Sequence, residues 1–243
     1  MKNRVQKILI LSLLFGLVAP LIFYLFSEKE YYLIKRVEIV GKTKENQWLM
    51  SEVEILNTIA INKTLSESKE IKATQQDIEK IKDALVANPY IRNAFLVAQL
   101  NGTLQIELEQ IQPLLRIHFS QGKQKILTRD STLVNIPKGQ LQKIPVVTGQ
   151  IGANMISKLY TLGNYVQENP FWNATVEQIF VNKANEIQFV TNLGRFEILL
   201  GNTTNLNNKM NRSEIFIKNV LPSLGWDAYQ TIDLRFKKQI IAY

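Results

Sequence analysis

Few residues of this chain have the types and spacing that nucleophilic catalysis needs. The sequence contains no cysteine, which excludes thiol nucleophiles, disulfides and thiolate metal sites. A serine with a lysine base needs neither cysteine nor histidine, and Ser157-Lys158 and Ser66 with Lys69 offer these residue types. Adjacent or loop-borne pairs of this kind arise easily by chance. We therefore interpret both pairs as solvated surface.

Carboxylates and the single histidine offer little more. Glu107 and Glu109 lie two apart on a predicted strand, so their side chains can share a face as an acid–base pair. Ordinary alternation of polar and apolar residues explains them more simply. His118 lies in an apolar run, and a satisfied structural role is favoured because metal sites usually take several histidines. The sequence also lacks the short motifs of phosphate, dinucleotide and zinc-hydrolase sites. It therefore predicts a binding or scaffolding protein, not an enzyme, without a cofactor or metal.

The distribution of charge argues against nucleic-acid binding, although the net charge is +8. Three of the 29 basic residues precede an apolar segment, which leaves 26 basic residues against 21 acidic ones. That remainder has no dense basic run with interleaved aromatic residues. Nucleic acid is therefore not an expected partner.

Residues 8–26 form a long apolar segment without a charged side chain. At about 1.5 Å rise per residue, a helix over this segment matches a bilayer core of about 30 Å. Lys2, Arg4 and Lys7 precede it, so the positive-inside bias places residues 1–7 in the cytoplasm and the rest of the chain outside. A cleaved signal peptide is the alternative, but its apolar region is usually shorter, about 7–15 residues. We predict a single, uncleaved transmembrane helix.

A β-hairpin near residue 100 is the clearest local signal. Leu104, Ile106 and Leu108 alternate with polar residues, which is typical of a strand with one buried face. A more apolar strand at residues 95–100 precedes it, and only Asn101-Gly102 lies between the two. Asn-Gly tolerates positive φ at both central positions, so the sequence predicts a two-residue type I′ turn. A lone hairpin is marginally stable in water and needs a cover.

The sequence before the hairpin supplies that cover. The predicted elements are, in order, a strand at residues 31–40, a helix at 48–60, a polar loop at 62–73 and a helix from the N-cap Thr74 to Asn88-Pro89. Asp77 follows Thr74 by three residues, which strengthens the N-cap. Residues 31–113 therefore predict a β-α-α-β-β unit with two helices on one face of a three-stranded sheet.

Residues 114–243 predict a mainly antiparallel β domain with two helices. The predicted strands are Leu114–Phe119, Lys125–Leu127, Pro145–Thr148, Val176–Val181, Glu186–Thr191, Arg195–Leu200 and Thr231–Phe236. The helices are predicted at residues 154–167 and 206–221, and each stops close to a proline. In the last strand Asp233 and Arg235 share one face. The predicted fold class is α+β: a transmembrane helix followed by two extracytoplasmic units.

Several short motifs occur in an order that resembles one protein family. They are Arg36–Gly41 (RVEIVG), Asn88–Val97 (NPYIRNAFLV), Leu104–Pro113 (LQIELEQIQP), Ile144–Gly149 (IPVVTG) and Ile232–Phe236 (IDLRF). With the basic tail and the apolar segment, this order resembles the FtsQ/DivIB bacterial cell-division proteins, and the first unit resembles their POTRA domain. The short tail departs from the family, and Arg129-Asp130-Ser131 matches its acidic-then-glycine turn only loosely.

The resemblance implies a type II, single-pass inner-membrane protein at the division septum, without catalytic activity, that recruits or regulates other division proteins. The family's main partners are the small single-span proteins FtsB and FtsL, and a partner segment adds a strand to the exposed edge of the terminal strand. By position, Arg235 then pairs with a partner carboxylate and Phe236 is an apolar anchor, with Lys237 and Gln239 nearby. Arg235→Glu is expected to weaken binding and leave the thermal midpoint nearly unchanged.

Two questions stay open at this point. Phe236 is either an interface residue or part of the core, because it shares a face of the predicted strand with Ile232 and Leu234. The alternative function is a membrane-anchored cell-wall enzyme, either a glycan lyase or a serine–lysine peptidase. A POTRA-bearing transport or assembly factor is less favoured, because the β-α-α-β-β pattern is not repeated along the chain.

Overall fold

The computed structural model describes residues 31–41, 49–59, 70–120, 122–137 and 143–243, together with Gly16 and Val18. The predicted tail (1–7) and, apart from those two residues, the predicted transmembrane helix (8–26) lie outside the described residues. Within the described ranges, no helix combines the length and the hydropathy that crossing a bilayer requires.

The chain is α+β, as predicted, but its first unit contains more strands than expected. Its elements are β1 (Tyr31–Ile34), β2 (Arg36–Gly41), α1 (Glu52–Thr58), β3 (Ile71–Thr74), α2 (Gln75–Val86), β4 (Ile91–Ala98) and β5 (Thr103–Gln110). The single strand predicted at 31–40 is interrupted at Lys35, whose backbone N–H donates to the Gly102 carbonyl. The predicted loop at 62–73 contains most of β3, which pairs antiparallel with β1. The unit is therefore β-β-α-β-α-β-β, not β-α-α-β-β.

The first unit is built on a small three-stranded sheet in the order β2-β5-β4. Strand β2 runs parallel to β5, and β4 runs antiparallel to it. Leu104, Ile106 and Leu108 of β5 are buried in one cluster with Leu85 of α2, so the helix covers the sheet. The Thr74 hydroxyl accepts from the Asp77 backbone N–H at 3.3 Å and the Asp77 carboxylate accepts from the Thr74 N–H at 3.0 Å, so the predicted N-cap is confirmed.

The turn between β4 and β5 differs from the prediction. Gln99 N–H donates to the Thr103 carbonyl at 2.8 Å, and Gly102 N–H donates to the Gln99 carbonyl at 3.0 Å. Gly102 has a φ of +85°, whereas Asn101 is not among the described residues with positive φ. The loop is therefore a type I turn closed by a left-handed glycine, and the predicted type I′ turn is wrong. The Asn101 side chain accepts from the Thr103 N–H at 2.9 Å, which stabilises this alternative and leaves Leu100 in the loop.

The second unit contains the long elements that the sequence predicts and several short ones that it misses. In order they are β6 (Pro113–His118), β7 (Gln124–Thr128), β8 (Leu133–Asn135), β9 (Val146–Gly149), α3 (Ala153–Glu168), α4 (Pro170–Thr175), β10 (Val176–Val181), β11 (Ile187–Thr191), β12 (Glu197–Gly201), α5 (Leu206–Asn219), α6 (Leu221–Leu224), β13 (Thr231–Asp233) and β14 (Ile241–Ala242). Strands β8 and β14 and helices α4 and α6 were not expected, because each is too short to show a periodic pattern.

These strands form a large nine-stranded sheet in the order β14-β13-β12-β11-β10-β9-β6-β7-β8. Strand β9 runs parallel to both neighbours and β13 runs parallel to β12, so the sheet is more mixed than predicted. Leu159 of α3 and Met210 of α5 are buried in the same core cluster as Trp172 and Phe189. The helices therefore cover this sheet and fix the position of its C-terminal strands.

Side chains from both units meet where β5 leads into β6. Leu49, Ile111 and Ile126 form a separate buried cluster, and the buried Gln110 side chain accepts from the Leu49 backbone N–H at 2.8 Å. Arg92 forms ion pairs with Glu109 and with Asp130. The predicted division at residues 113/114 stays a prediction, since β6 begins at Pro113 and this contact joins the two sides.

Candidate functional site

The predicted terminal strand is shorter than expected, and another strand closes its free edge. Strand β13 ends at Asp233, so the strand predicted to reach Phe236 is wrong by three residues. The Asp233 carboxylate accepts from the Arg235 backbone N–H at 2.9 Å, which removes that donor from the sheet and turns the chain away. The chain bends at residues 236–238 and returns as β14, which pairs antiparallel with β13. The terminal strand is therefore not an exposed edge.

Strand β14, which closes this edge, is very short. It contains two residues, and the Thr231 and Tyr243 backbones exchange hydrogen bonds of 2.9 and 3.1 Å beside it. Gln230 N–H also donates to the Tyr243 carbonyl at 2.8 Å. Tyr243 is 62% exposed, Ile241 and Ala242 are half-buried, and Ile240 just before the strand packs against the core. At this edge, the outermost strand of the large sheet is thus the shortest of its described strands.

Arg235 lies just past the end of β13 and is held by two carboxylates. Its Nη2 lies 2.7 Å from Asp233 Oδ2, and its Nη1 lies 3.4 Å from Glu186 Oε1. The Asp233 side chain is 3% exposed, whereas that of Arg235 is 41% exposed. Burial raises the pKa of Asp233, but hydrogen bonds from the Arg235 side chain and backbone outweigh it, so the pKa lies below its usual value. The side-chain hydrogen bonds to Asp233 and, less strongly, to Glu186 raise the pKa of Arg235. The guanidinium is therefore a fixed charge at the surface.

Phe236, Lys237 and Gln239 all lie in the exposed segment between β13 and β14. The Phe236 side chain is 42% exposed, so its interpretation as a core residue is wrong. It no longer shares a face with Ile232 and Leu234, because the strand has ended and the chain bends. The Phe236 carbonyl accepts from Arg212 Nη2 at 3.1 Å, which attaches this segment to α5.

A cleft of about 480 Å³ lies beside Arg235 and Phe236. Of the residues that line it, one is acidic, Glu186, and five are basic: Lys158, Lys209, Arg212, Arg235 and Lys237. Arg212 Nη1 is buried and has no hydrogen-bond partner within the described ranges. The cleft therefore carries an excess of positive charge and a donor without an acceptor.

Lys209 connects the floor of the cleft to the end of β12. It is only 8% exposed, and its Nζ donates to the carbonyls of Leu200 and Asn202, each at 2.9 Å. Burial lowers the pKa of Lys209, the charge of Arg212 lowers it further, and Asp233 opposes both effects. Lys209 and Arg212 were not predicted as site residues, because their position beside the C-terminal segment depends on how α5 packs. Asp233 and Arg235 share a face of the predicted strand, but the structure pairs them across the turn that follows β13.

A family model described as FtsQ/DivIB, C-terminal related, matches residues 112–243. The chain belongs to the FtsQ/DivIB family. The matched residues include the whole large sheet and the cleft, and the resemblance drawn from the sequence is confirmed. A comparison with curated proteins finds no match. FtsQ/DivIB proteins are non-enzymatic cell-division proteins that work in the division complex with other division proteins, so this chain is a cell-division protein.

The described residues among the pairs considered for catalysis are not arranged for it in this FtsQ/DivIB chain. Ser157 and Lys158 are neighbours on α3, and adjacent helical residues do not face each other. Glu109 is engaged in its ion pair with Arg92 at 2.8 Å. Ser66 and Lys69 lie outside the described residues, and Glu107 takes part in an interaction of its own.

His118 does not fit the role that the sequence favoured for it. It ends β6, and its Nε2 is buried without a hydrogen-bond partner in the described part of the chain. The interpretation as a satisfied structural histidine is therefore wrong for this atom.

Proposed function

We propose that this FtsQ/DivIB protein is a non-enzymatic, membrane-anchored member of the divisome. It recruits or regulates FtsB-like and FtsL-like single-span proteins at the septum by binding their extracytoplasmic segments at the C-terminal edge of its large sheet. The observation that carries this proposal is the edge itself: a two-residue strand closes it, beside an exposed arginine, an exposed phenylalanine and a basic cleft.

The partner segment binds by strand addition at β13. The outer side of β14 offers only two residues, which is too short an edge to align a peptide. Displacing β14 exposes the β13 backbone and costs a few hydrogen bonds, each worth about 0.5–1.5 kcal/mol. A longer partner strand restores those hydrogen bonds and adds its own. Strand β14 therefore occupies the site until a partner replaces it.

The side chains beside the edge give the site its specificity. A partner carboxylate replaces Glu186 at Arg235, because that contact is long at 3.4 Å, whereas the Asp233 contact of 2.7 Å stays and orients the guanidinium. The exposed Phe236 ring is the apolar anchor, and arginine and aromatic residues are enriched at interface hot spots. Lys237 and Gln239 extend the contact along the same segment. The basic cleft favours an acidic partner segment.

The membrane anchor is the apolar segment at residues 8–26, with residues 1–7 in the cytoplasm and the two folded units outside. The alternative of a cell-wall enzyme is not carried further, because no described pair of candidate residues has the geometry of a nucleophile and its base. The anchor brings the C-terminal edge to the same side of the membrane as the partner segments.

The test is binding of the full chain in detergent to the extracytoplasmic segments of the FtsB-like and FtsL-like proteins of the same organism. Phe236→Ala is expected to weaken binding by about tenfold or more, as loss of a hot-spot residue does. Phe180→Ala is the matched control, because Phe180 lies on β10 of the same sheet and is 38% exposed. Deletion of residues 241–243 is expected to tighten binding, because the partner no longer competes with β14.

The outcomes separate the parts of the proposal. If the deletion weakens binding as Phe236→Ala does, the partner adds outside β14 and the displacement step is wrong. If both variants bind as the wild type does, the site lies elsewhere on the protein. If the wild type binds neither segment, the recruitment function itself is overturned.

A further inference from the structure

The end of the first unit that carries the β4–β5 turn has an unusual surface. The turn packs on the junction of β1 and β2: Lys35 N–H donates to the Gly102 carbonyl at 2.7 Å, and Arg36 N–H donates to the same carbonyl at 3.3 Å. A second cleft, of about 270 Å³, lies between the turn and β1. Tyr31, Leu33, Lys35 and Leu100 are among the residues that line it, and we call these four side chains the tip surface.

The tip surface exposes large apolar side chains next to one another. Leu100 is 108% exposed, Tyr31 is 60% exposed and Leu33 is 46% exposed. Tyr31 and Leu33 lie two apart in β1 and share a face, while Ile34 on the other face is buried in the core. Single exposed apolar residues are normal, but a cluster is typical of an interaction site.

The composition of the tip surface fits a lipid headgroup layer. Tyrosine is enriched at membrane–water interfaces, where its ring lies among the headgroups and its hydroxyl stays hydrated. Lys35 keeps its ammonium at the rim, 3.1 Å from Glu70, while its aliphatic stem lies along the turn within 3.0 Å of the Cβ position of Gly102. Leu100, at the apex of the turn, has the apolar side chain that can reach the acyl boundary.

The sequence places the tip surface close to a membrane. The apolar segment 8–26 ends five residues before Tyr31, and five residues span at most about 18 Å when fully extended. A folded end that begins so soon after a span cannot lie far from the bilayer surface. This step rests on the proposed anchor at residues 8–26.

We propose that the tip surface contacts the outer face of the bilayer that anchors the chain, with Leu100 inserted among the headgroups. The contact holds the first unit in one orientation relative to the membrane plane, because it adds a second attachment point to the connection after residue 26. It thereby limits how far the rest of the protein tilts when a partner binds.

The test uses the absence of cysteine from the sequence. The full chain with Leu100→Cys is labelled with a polarity-sensitive fluorophore and reconstituted into phosphatidylethanolamine–phosphatidylglycerol vesicles. Leu100 is fully exposed, so the substitution is not expected to disturb folding. The matched control is Leu224→Cys, because Leu224 is 55% exposed and lies in the second unit. We expect a blue-shifted emission at position 100 and several-fold stronger quenching there than at position 224 by lipids that carry a spin label near the headgroup.

Flotation of the vesicles after an alkaline wash tests the anchor separately. If the chain stays with the vesicles but the label at position 100 is quenched no more than at position 224, the membrane contact is wrong and the anchor stands. A blue shift without lipid quenching that grows with protein density means that a second copy covers the surface, which also overturns the contact. Loss of the chain from the vesicles overturns the anchor and the inference together.

Discussion

The tip surface and the cleft beside Arg235 and Phe236 both lie next to a reversal of the chain, but the tip surface is mainly apolar and the cleft is mainly charged and polar. The cleft is lined by a buried lysine, Lys209, and by Arg235, whose guanidinium is fixed between the carboxylates of Glu186 and the buried Asp233. The tip surface holds exposed leucines and a tyrosine, with one exposed ion pair at its rim. Each has a glycine with positive φ beneath it, Gly201 under the cleft and Gly102 under the tip.

This difference indicates what each surface can recognise. Hydrogen bonds and ion pairs are directional, so the fixed charge beside β13 suits a peptide that is held in one register. Apolar burial is not directional, so exposed leucine and tyrosine fit a lipid layer that has no fixed geometry. The comparison predicts that changes at one surface leave the function of the other unchanged.

The largest loss of folding stability is expected from Arg235→Glu. The new carboxylate lies beside Asp233, whose side chain is 3% exposed and then loses its paired guanidinium. Breaking a buried pair costs about 3–5 kcal/mol, and the 41% exposure of the Arg235 side chain reduces this, so we expect a loss of about 2–4 kcal/mol in unfolding free energy. This revises the sequence-based expectation that Arg235→Glu leaves the thermal midpoint unchanged. Thermal unfolding of the full chain in detergent measures the loss.

Arg195→Glu is the control for that measurement. Arg195 precedes β12 and is exposed at the end of the sheet opposite Asp233, because Glu197 pairs with Thr231 while Leu199 pairs with Asp233. Its substitution should shift the thermal midpoint little. Equal shifts in the two variants would show that net charge, and not the pair with Asp233, determines the loss.

Alanine substitutions at Gly201 and Gly102 give two comparable variants with smaller expected losses of stability. Gly201→Ala places a Cβ 2.8 Å from Arg235 Cγ at a φ of +74°, and Gly102→Ala places one 3.1 Å from the Leu33 carbonyl at a φ of +85°. Left-handed backbone costs a residue with a Cβ about 1–2 kcal/mol, so each variant should lose about that much stability. Gly201→Ala should weaken partner binding, because the Arg235 stem must shift. Gly102→Ala should reduce lipid quenching of the label at position 100.

Each glycine variant is also measured at the surface that it does not alter, which tests whether the two surfaces act independently. Partner binding of Gly102→Ala in detergent and lipid quenching in Gly201→Ala should both match those of the parent chain. If both variants impair both readouts to the same degree, the two surfaces act as one, and the comparison between them fails.

Local sequence signals predicted the main helices and strands around both surfaces, whereas the turn type and the cleft depend on contacts that the local pattern does not show. The Thr74–Asp77 cap and the alternation of Leu104, Ile106 and Leu108 are encoded within a few residues, and the structure confirms them. The turn type was mispredicted because the Asn101 side chain bonds the Thr103 N–H.

The cleft was less predictable than the hairpin. Arg212 meets Phe236 only because α5 packs beside β13, and no sequence spacing encodes a contact across 24 residues. Strand β14 was missed because two residues show no period. The site residues Arg235, Phe236, Lys237 and Gln239 came from the family resemblance and stay a prediction.

Acidification is expected to lower the stability of the folded chain through Asp233. The pKa of Asp233 is lower in the folded chain than in the unfolded chain, so the folded chain binds fewer protons between the two values, and stability rises with pH there. The contribution is complete above the unfolded value of about 3.9 and is lost as pH falls through the folded pKa. The stability difference between the parent and Asp233→Asn should therefore shrink as pH falls below about 4 toward the folded pKa. A difference that is constant over this range would mean that the pKa of Asp233 is the same in the folded and unfolded chains.

The smallest effects on folding are expected from Phe236→Ser and Leu100→Ser, which remove one exposed apolar side chain from each surface. Phe236 is 42% exposed and Leu100 is 108% exposed, so each change should alter unfolding free energy by less than about 1 kcal/mol. Phe236→Ser should weaken partner binding and leave lipid contact unchanged. Leu100→Ser, read with a label at Val97→Cys on β4, should lose lipid quenching and keep partner binding. Neither variant is expected to perturb the fold, so loss of folding cannot explain an effect at the other surface. If Leu100→Ser weakens partner binding in detergent, where no bilayer is present, the tip surface is itself part of a protein interface.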